Sequence, residues 1–231
     1  MGGRIDAPFF GLLERALQTD AWLAIAYGLM PRPGESERPV RAAAWRLIAA
    51  AASLHLVFAE CVIANPLIAA EPVGRLPFLD VLLLAYAVPA GFAWAFQRAL
   101  TTRGLERWSR LAGVAALALA FLYISLEVRH LFHGNRLDRG GTTDGEWYAY
   151  SAAWLVYGGA LLALGIVRRH APLRLAGLIV GAVVAVKAFG FDMATLTGLY
   201  RAASFLGLGA SLVAIGWLYQ RVATPDAPRP G

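Results

Sequence analysis

Apolar residues in this chain come in continuous runs of about 20, and the polar residues gather in the short connectors between them. Six runs have this form, at about 43–64, 78–99, 109–132, 148–167, 173–192 and 199–220. Each is long enough to cross about 30 Å of hydrocarbon as a helix. A seventh segment, about 8–30, begins with the amphipathic "FFGLLERALQTD", so it either crosses the membrane or lies in the interface. The fold predicted is all-α, a polytopic transmembrane helix bundle. Unbroken apolar runs lack the alternation a β-barrel needs. Residues 1–222 read as one helical domain and 223–231 as a disordered Pro-rich tail. Pro89, inside "LLAYAVPAGFAWAF", predicts a kink that neighbouring helices must accommodate.

Composition agrees with this pattern. Of 231 residues, 58% are hydrophobic and 16% charged, against roughly 25% charged in a soluble domain, and the mean hydropathy is +0.56. A net charge of +6 would suggest nucleic acid in a soluble protein. Here Lys187 is the only lysine among 21 basic residues, and the arginines cluster at span ends. That placement serves topology and lipid contact, so no nucleic-acid partner is expected. Cys61 falls inside a span, away from disulfide or thiolate chemistry. The first segment carries Glu14, Arg15 and Asp20 and lacks the layout of a cleavable signal peptide.

Arginine position orients the bundle. Arg32, Arg38 and Arg41 share one connector; Arg98, Arg103, Arg107 and Arg110 share another; Arg168, Arg169 and Arg174 a third; and Arg221 and Arg229 lie in the tail. The intervening connectors are poorer, with Arg75 in one and Arg136 and Arg139 in the next. The positive-inside rule makes the first set and the carboxy terminus cytoplasmic. Small residues four apart, Gly177, Gly181 and Ala185 on one helix and Ala203, Gly207 and Ser211 on the next, predict close packing of those two helices, with a homodimer face as the alternative.

The ionisable residues within the apolar runs then fall toward the outer ends. They are Glu60, Asp80, Glu127, Arg129, His130, Lys187, Asp192 and Arg201. Lys187 lies about five residues, or roughly 7–8 Å, inside its span. It should face a partner, with Glu127 and Glu60 as candidates. Glu127 and His130, three apart, share one helix face, whereas Arg129 and His133, four apart, share another. Glu127, His130 and His133 spell "ExxHxxH", but no distant further ligand is identifiable, so neither a metal nor another cofactor is expected. Nucleotide-binding glycine loops and nucleophile elbows are absent from the sequence.

The stretches "SLEVRHLFHG", "WYAYSAAWLVYGGALLALGI" and "NPLI…LLLAYAVPA", with the long run from Arg174 to Arg221, resemble the bacterial membrane proteins grouped as the domain of unknown function 2339. The likeness covers nearly the whole chain and matches the carboxy-terminal region of that family, whose typical members are much longer. It implies that Asn65, Pro66, Tyr86, Pro89, Arg129, His130, Tyr150, Ser151, Trp154, Lys187, Asp192, Tyr200, Arg201 and Gly207 act together, in a bacterial inner membrane. It implies no reaction.

The reading is therefore a multi-pass inner-membrane protein with an outward-facing polar pocket. Arg129, His130, Lys187 and Arg201 would meet an anionic envelope lipid or lipid-linked glycan. Glu127 and Asp192 would tune those cations, and Tyr148, Tyr150 and Trp154 would line the mouth. Two alternatives stand beside it: a transferase using His130 with Glu127 as catalytic groups, and a structural anchor within a larger membrane complex. The orientation is tested directly by cysteine labelling. An impermeant thiol reagent should label a cysteine placed at Thr142 in intact cells and spare one at Gly104; the opposite pattern inverts the topology.

Overall fold

The computed structural model describes residues 11–31, 35, 38–188 and 199–223, with backbone alone for part of the last helix. Its helices are α1 (Gly11–Leu29), α2 (Pro39–His55), α3 (Val88–Thr101), α4 (Glu106–His133), α5 (Asp144–Val167), α6 (Ala171–Lys187) and α7 (Leu199–Ala223). Among the described residues there is no strand, only an isolated antiparallel bridge between Pro72 and Arg136. The all-helical class is thus as expected. Among the described residues, three helical stretches are long and apolar enough to cross a membrane: Pro39–Ile63, Glu106–His133 and Asp144–Val167. They correspond to the first, third and fourth of the six runs read from the sequence.

The distribution of side chains is the reverse of that in a soluble protein. Leu47, Leu54, Phe58 and Ile63 on the α2 stretch, Leu111 and Val114 on α4, and Leu155 and Val156 on α5 are all exposed. The buried set includes Thr19, Glu60, Glu127, His130, Glu146 and Lys187. Large apolar surface outside and ionisable groups inside suit a lipid solvent, where a charge must turn toward protein.

Two helices widen into π-helical turns. The α2 stretch continues as a π-helix over Leu56–Ile63, and a π-helical turn over Leu83–Ala87 leads into α3. The second precedes Pro89, whose ring displaces the carbonyl four residues back and which has no N–H to donate. The Val88 N–H reaches back to the Leu83 carbonyl, five residues away, so the irregularity expected at Pro89 takes this form. The two wide turns are joined by a hydrogen bond. Tyr86, fully buried, donates its hydroxyl to the Glu60 carbonyl at 3.2 Å.

Within the stretch read as one domain, the chain packs as two compact units, Met1–Glu146 and Trp147–Gly231. In the first, α1 buries Leu12, Ala16, Thr19, Leu23 and Ala26, a spacing of three or four that makes one helical stripe. Leu12 and Ala16 join Val73, Leu82, Tyr86, Leu126 and Leu137 in one apolar core. Leu23 and Ala26 join Met30, Trp45, Ala52, Phe96 and Leu100 in a second. At that second end Arg41 donates to the Leu29 carbonyl at 2.8 Å and the Met30 carbonyl at 3.2 Å, capping the carbonyls α1 leaves open.

In the second unit the small-residue stripes part company. A Cβ at Gly177 would lie 2.7 Å from both the Gly158 carbonyl oxygen and the Leu162 nitrogen of α5, whereas at Gly181 or Gly207 it would meet nothing described within 4 Å. The close approach therefore runs from α6 to α5 through Gly177. The clashing atoms are backbone and cannot swing away. Gly177→Ala should lose about 1–3 kcal/mol of stability, read as a lower thermal midpoint in detergent. Gly181→Ala, which only gains helix propensity, should leave the midpoint unchanged or raised.

Candidate functional site

The first unit gathers its ionisable groups on α4. Glu127 and His130 lie on the face turned to the segment between the two wide turns, residues 64–82. Asp80, near the end of that segment, directs Oδ1 to the Leu83 N–H at 3.2 Å, a cap on the helix that follows. This leaves Oδ2 2.8 Å from His130 Nδ1, while Glu127 Oε2 lies 3.8 Å from the same nitrogen. The side chains of Asp80, Glu127 and His130 are 0%, 2% and 1% exposed. Asp80 Oδ2, Glu127 Oε1 and both His130 ring nitrogens have no hydrogen-bond partner among the described residues. The 2.8 Å contact is thus close in distance but off the direction a hydrogen bond requires.

The segment is fastened to α4 at several points. Glu127 Oε2 accepts the Phe78 N–H at 3.0 Å, and Tyr123, one turn earlier, donates its hydroxyl to the Phe78 carbonyl at 3.2 Å. Phe78 is held at φ 68°, a left-handed conformation that is costly for a bulky residue. Beyond α4, Asn135 accepts the Val73 N–H on its carbonyl and the Gly74 N–H on its side chain, at 3.2 and 2.8 Å. Gly134, at φ 63°, ends α4 with its N–H on the His130 carbonyl at 2.8 Å and turns the chain toward these partners.

Arg129 and His133 occupy the other face, as their spacing predicts, and meet Glu146. Arg129 Nη1 is 2.9 Å from Glu146 Oε1, and His133 Nε2 is 2.8 Å from Oε2. Arg129 also donates to the Leu137 carbonyl at 2.9 Å and the Gly140 carbonyl at 3.2 Å. One guanidinium thereby folds the 134–143 loop against α4. On its outer side Arg136 grips Asp138 at 2.9 and 3.0 Å, and hydrogen bonds from Arg136 hold the Asp138 carboxyl below its ordinary range.

A third polar node joins α1 to α2. Thr19 donates to the fully buried Glu60 and sits 2.9 Å from His55 Nδ1; Trp22 packs edge-on to the His55 ring. In the second unit, Lys187 donates to the Trp147 carbonyl and contacts the Ser151 hydroxyl, both at 2.8 Å, with its ammonium 4.7 Å from the Trp147 ring centre. The Tyr150 and Trp154 rings stand 6.0 Å apart. Glu127 and Glu60, the acids expected to face Lys187, belong to the first unit and have the partners given above. Asp192 and the Arg201 side chain lie outside the described residues. A cavity of about 270 Å³ lined by Trp22, Ile25, Ile48 and Ala51 is apolar and includes none of the candidate residues.

Of the groups that build these nodes, Asp80 was read only as an acid opening a span, and Glu146 was not singled out. Glu146 sits in the first turn of α5, just after a polar loop, where sequence gives no signal of full burial. Its weight is testable. Glu146→Ala leaves Arg129 and His133 without their shared acid and should cost about 3 kcal/mol, the scale for breaking a buried pair. Asp138→Asn, at a partly exposed pair two residues apart in one loop, should lower the thermal midpoint far less.

Comparison with known proteins adds one match. No curated protein and no solved structure matches the chain. The model of the family described as predicted membrane protein (DUF2339) matches residues 5–222, which is nearly the whole sequence, and the chain belongs to that family.

Proposed function

We propose that this membrane protein binds an anionic amphiphile, a lipid or a lipid-linked glycan, at the end of its helices covered by the 64–82 segment. The observation that carries the reading is the make-up of that segment. Leu67, Ile68, Leu76, Phe78 and Leu79 are exposed large apolar side chains, although the segment is pinned to α4 through the Phe78 backbone. Exposed Arg75 stands among them, and exposed Arg139 lies on the neighbouring loop. Apolar side chains flanked by cations suit a ligand with an acyl tail and a phosphate-bearing head.

This reading shifts the anion's partners. Arg129 is taken up by Glu146 and the loop carbonyls of Leu137 and Gly140, and His130 lies against Asp80 and Glu127, so Arg129 shapes the loop that presents Arg139, and the buried cluster lies beneath the contact surface. The arginine alternation supports a bacterial inner membrane with this end outward and the carboxy terminus in the cytoplasm.

Native mass spectrometry of the protein extracted from its own membrane tests the proposal. Anionic species should be enriched over the bulk lipid, and the masses separate a free phospholipid from a lipid-linked glycan. Each exposed cation is worth about 1 kcal/mol toward an anionic surface. Arg75→Gln with Arg139→Gln should therefore lower retention on the order of tenfold or more. Bound lipid of bulk composition in the unaltered protein would end the proposal.

A further inference from the structure

The geometry points to a divalent first-row transition-metal site, best matched by zinc, formed by Asp80, Glu127 and His130 where the 64–82 segment meets α4. This inference stands apart from the lipid reading, because it rests on buried groups and not on the exposed surface above them. One oxygen from each carboxylate and one imidazole nitrogen lie within 4.8 Å of one another. Tetrahedral ligands at about 2.0–2.1 Å from zinc stand roughly 3.3 Å apart. The contacts from His130 Nδ1, 2.8 Å to Asp80 Oδ2 and 3.8 Å to Glu127 Oε2, bracket that value.

The unmet polar atoms argue in the same direction. Asp80 Oδ2 and His130 Nδ1 face each other without hydrogen-bond geometry, and Glu127 Oε1 is also without a partner, although all three side chains are at least nine-tenths buried. Leaving such groups unsatisfied away from water is destabilising. A cation among them supplies Oδ2 and Nδ1 with the partner each lacks. Charge points the same way. Two carboxylates against one imidazolium leave a negative charge uncompensated, whereas two carboxylates and a neutral imidazole balance a divalent ion. A mixed imidazole and carboxylate set favours zinc or manganese over magnesium or calcium, which take oxygen alone.

The supporting groups already aim the ligands. The Leu83 N–H fixes Asp80 through Oδ1, and the Phe78 N–H fixes Glu127 through Oε2, the kind of outer contact that orients metal ligands. Three protein ligands leave a fourth tetrahedral position. The site also ties two parts of the chain some 50 residues apart, holding the strained Phe78 turn against α4.

Full-length protein stripped with chelator, then given zinc and desalted, provides the test. Elemental analysis should find one equivalent retained. Asp80→Asn and His130→Gln should each weaken retention by more than about 100-fold, beyond the 10–100-fold that losing a merely supporting group causes. His133→Gln, on the other face, should retain the metal. X-ray absorption of the zinc-loaded unaltered protein decides the matter even if a variant fails to fold, and should show one nitrogen ligand with carboxylate oxygens. No stoichiometric metal, retention that survives both ligand variants, or a shell without imidazole would overturn the assignment.

Discussion

In hydrocarbon a charge that cannot reach water must be answered by another protein group, and the buried interior of the first unit is organised around that demand. An unpaired ionisable side chain at depth costs several kcal/mol, comparable to a large share of the whole stability of a domain. Glu60, Glu127, His130 and Glu146 are all buried nonetheless. Each is reached by a group from a distant part of the chain: Thr19 for Glu60, the Phe78 backbone for Glu127, Asp80 for His130, and Arg129 for Glu146. These contacts dictate which helices and loops must adjoin. Apolar packing alone is less selective here, since lipid tails serve an exposed leucine as well as a neighbouring helix does.

The segment from 64 to 82 shows how that demand shapes backbone. Irregular chain with unmet N–H groups cannot lie bare in lipid. It is tolerated because α4 supplies acceptors and donors at matching positions: Tyr123 and Glu127 on either side of Phe78, then Asn135 against Val73 and Gly74. The positive φ at Phe78 follows from this double attachment. Its N–H and carbonyl are held by residues four apart on one helix, and the ring is left to turn outward, where it is exposed. The same turn delivers Asp80 to His130.

Periodicity and charge made much of this legible. Helical class, membrane character and the split of α4 into a Glu127–His130 face and an Arg129–His133 face follow from spacing, because 3.6 residues per turn fixes which side chains are neighbours. Partners across loops were not legible. Asp80 and Glu146 meet α4 only after irregular chain has folded back, and no local pattern encodes where an acid beyond such a loop ends up. The "ExxHxxH" motif illustrates the limit. Its first two residues do converge, but the third points to Glu146, and the acid that completes the cluster lies 47 residues upstream of Glu127. Glycine spacing was similarly half informative: Gly177 marks a close approach and Gly181, four residues on, does not.

The two faces of α4 carry different kinds of arrangement, and the contrast suggests different roles. On the Arg129 side, Arg129 and His133 meet Glu146 at 2.9 and 2.8 Å, and the guanidinium's further donors are spent on loop carbonyls. Such a network is saturated, and its consequence is a fixed loop. On the Asp80 side, two acids and one imidazole converge with four polar atoms unmet among the described residues. A merely structural node would gain by closing those valences with a donor such as arginine, which supplies five. Arg129 and His130 are adjacent on one helix, so both environments arise within a single turn. A contact surface above and a cation-seeking centre beneath would share the Phe78 turn, making its strained backbone the element through which one could influence the other.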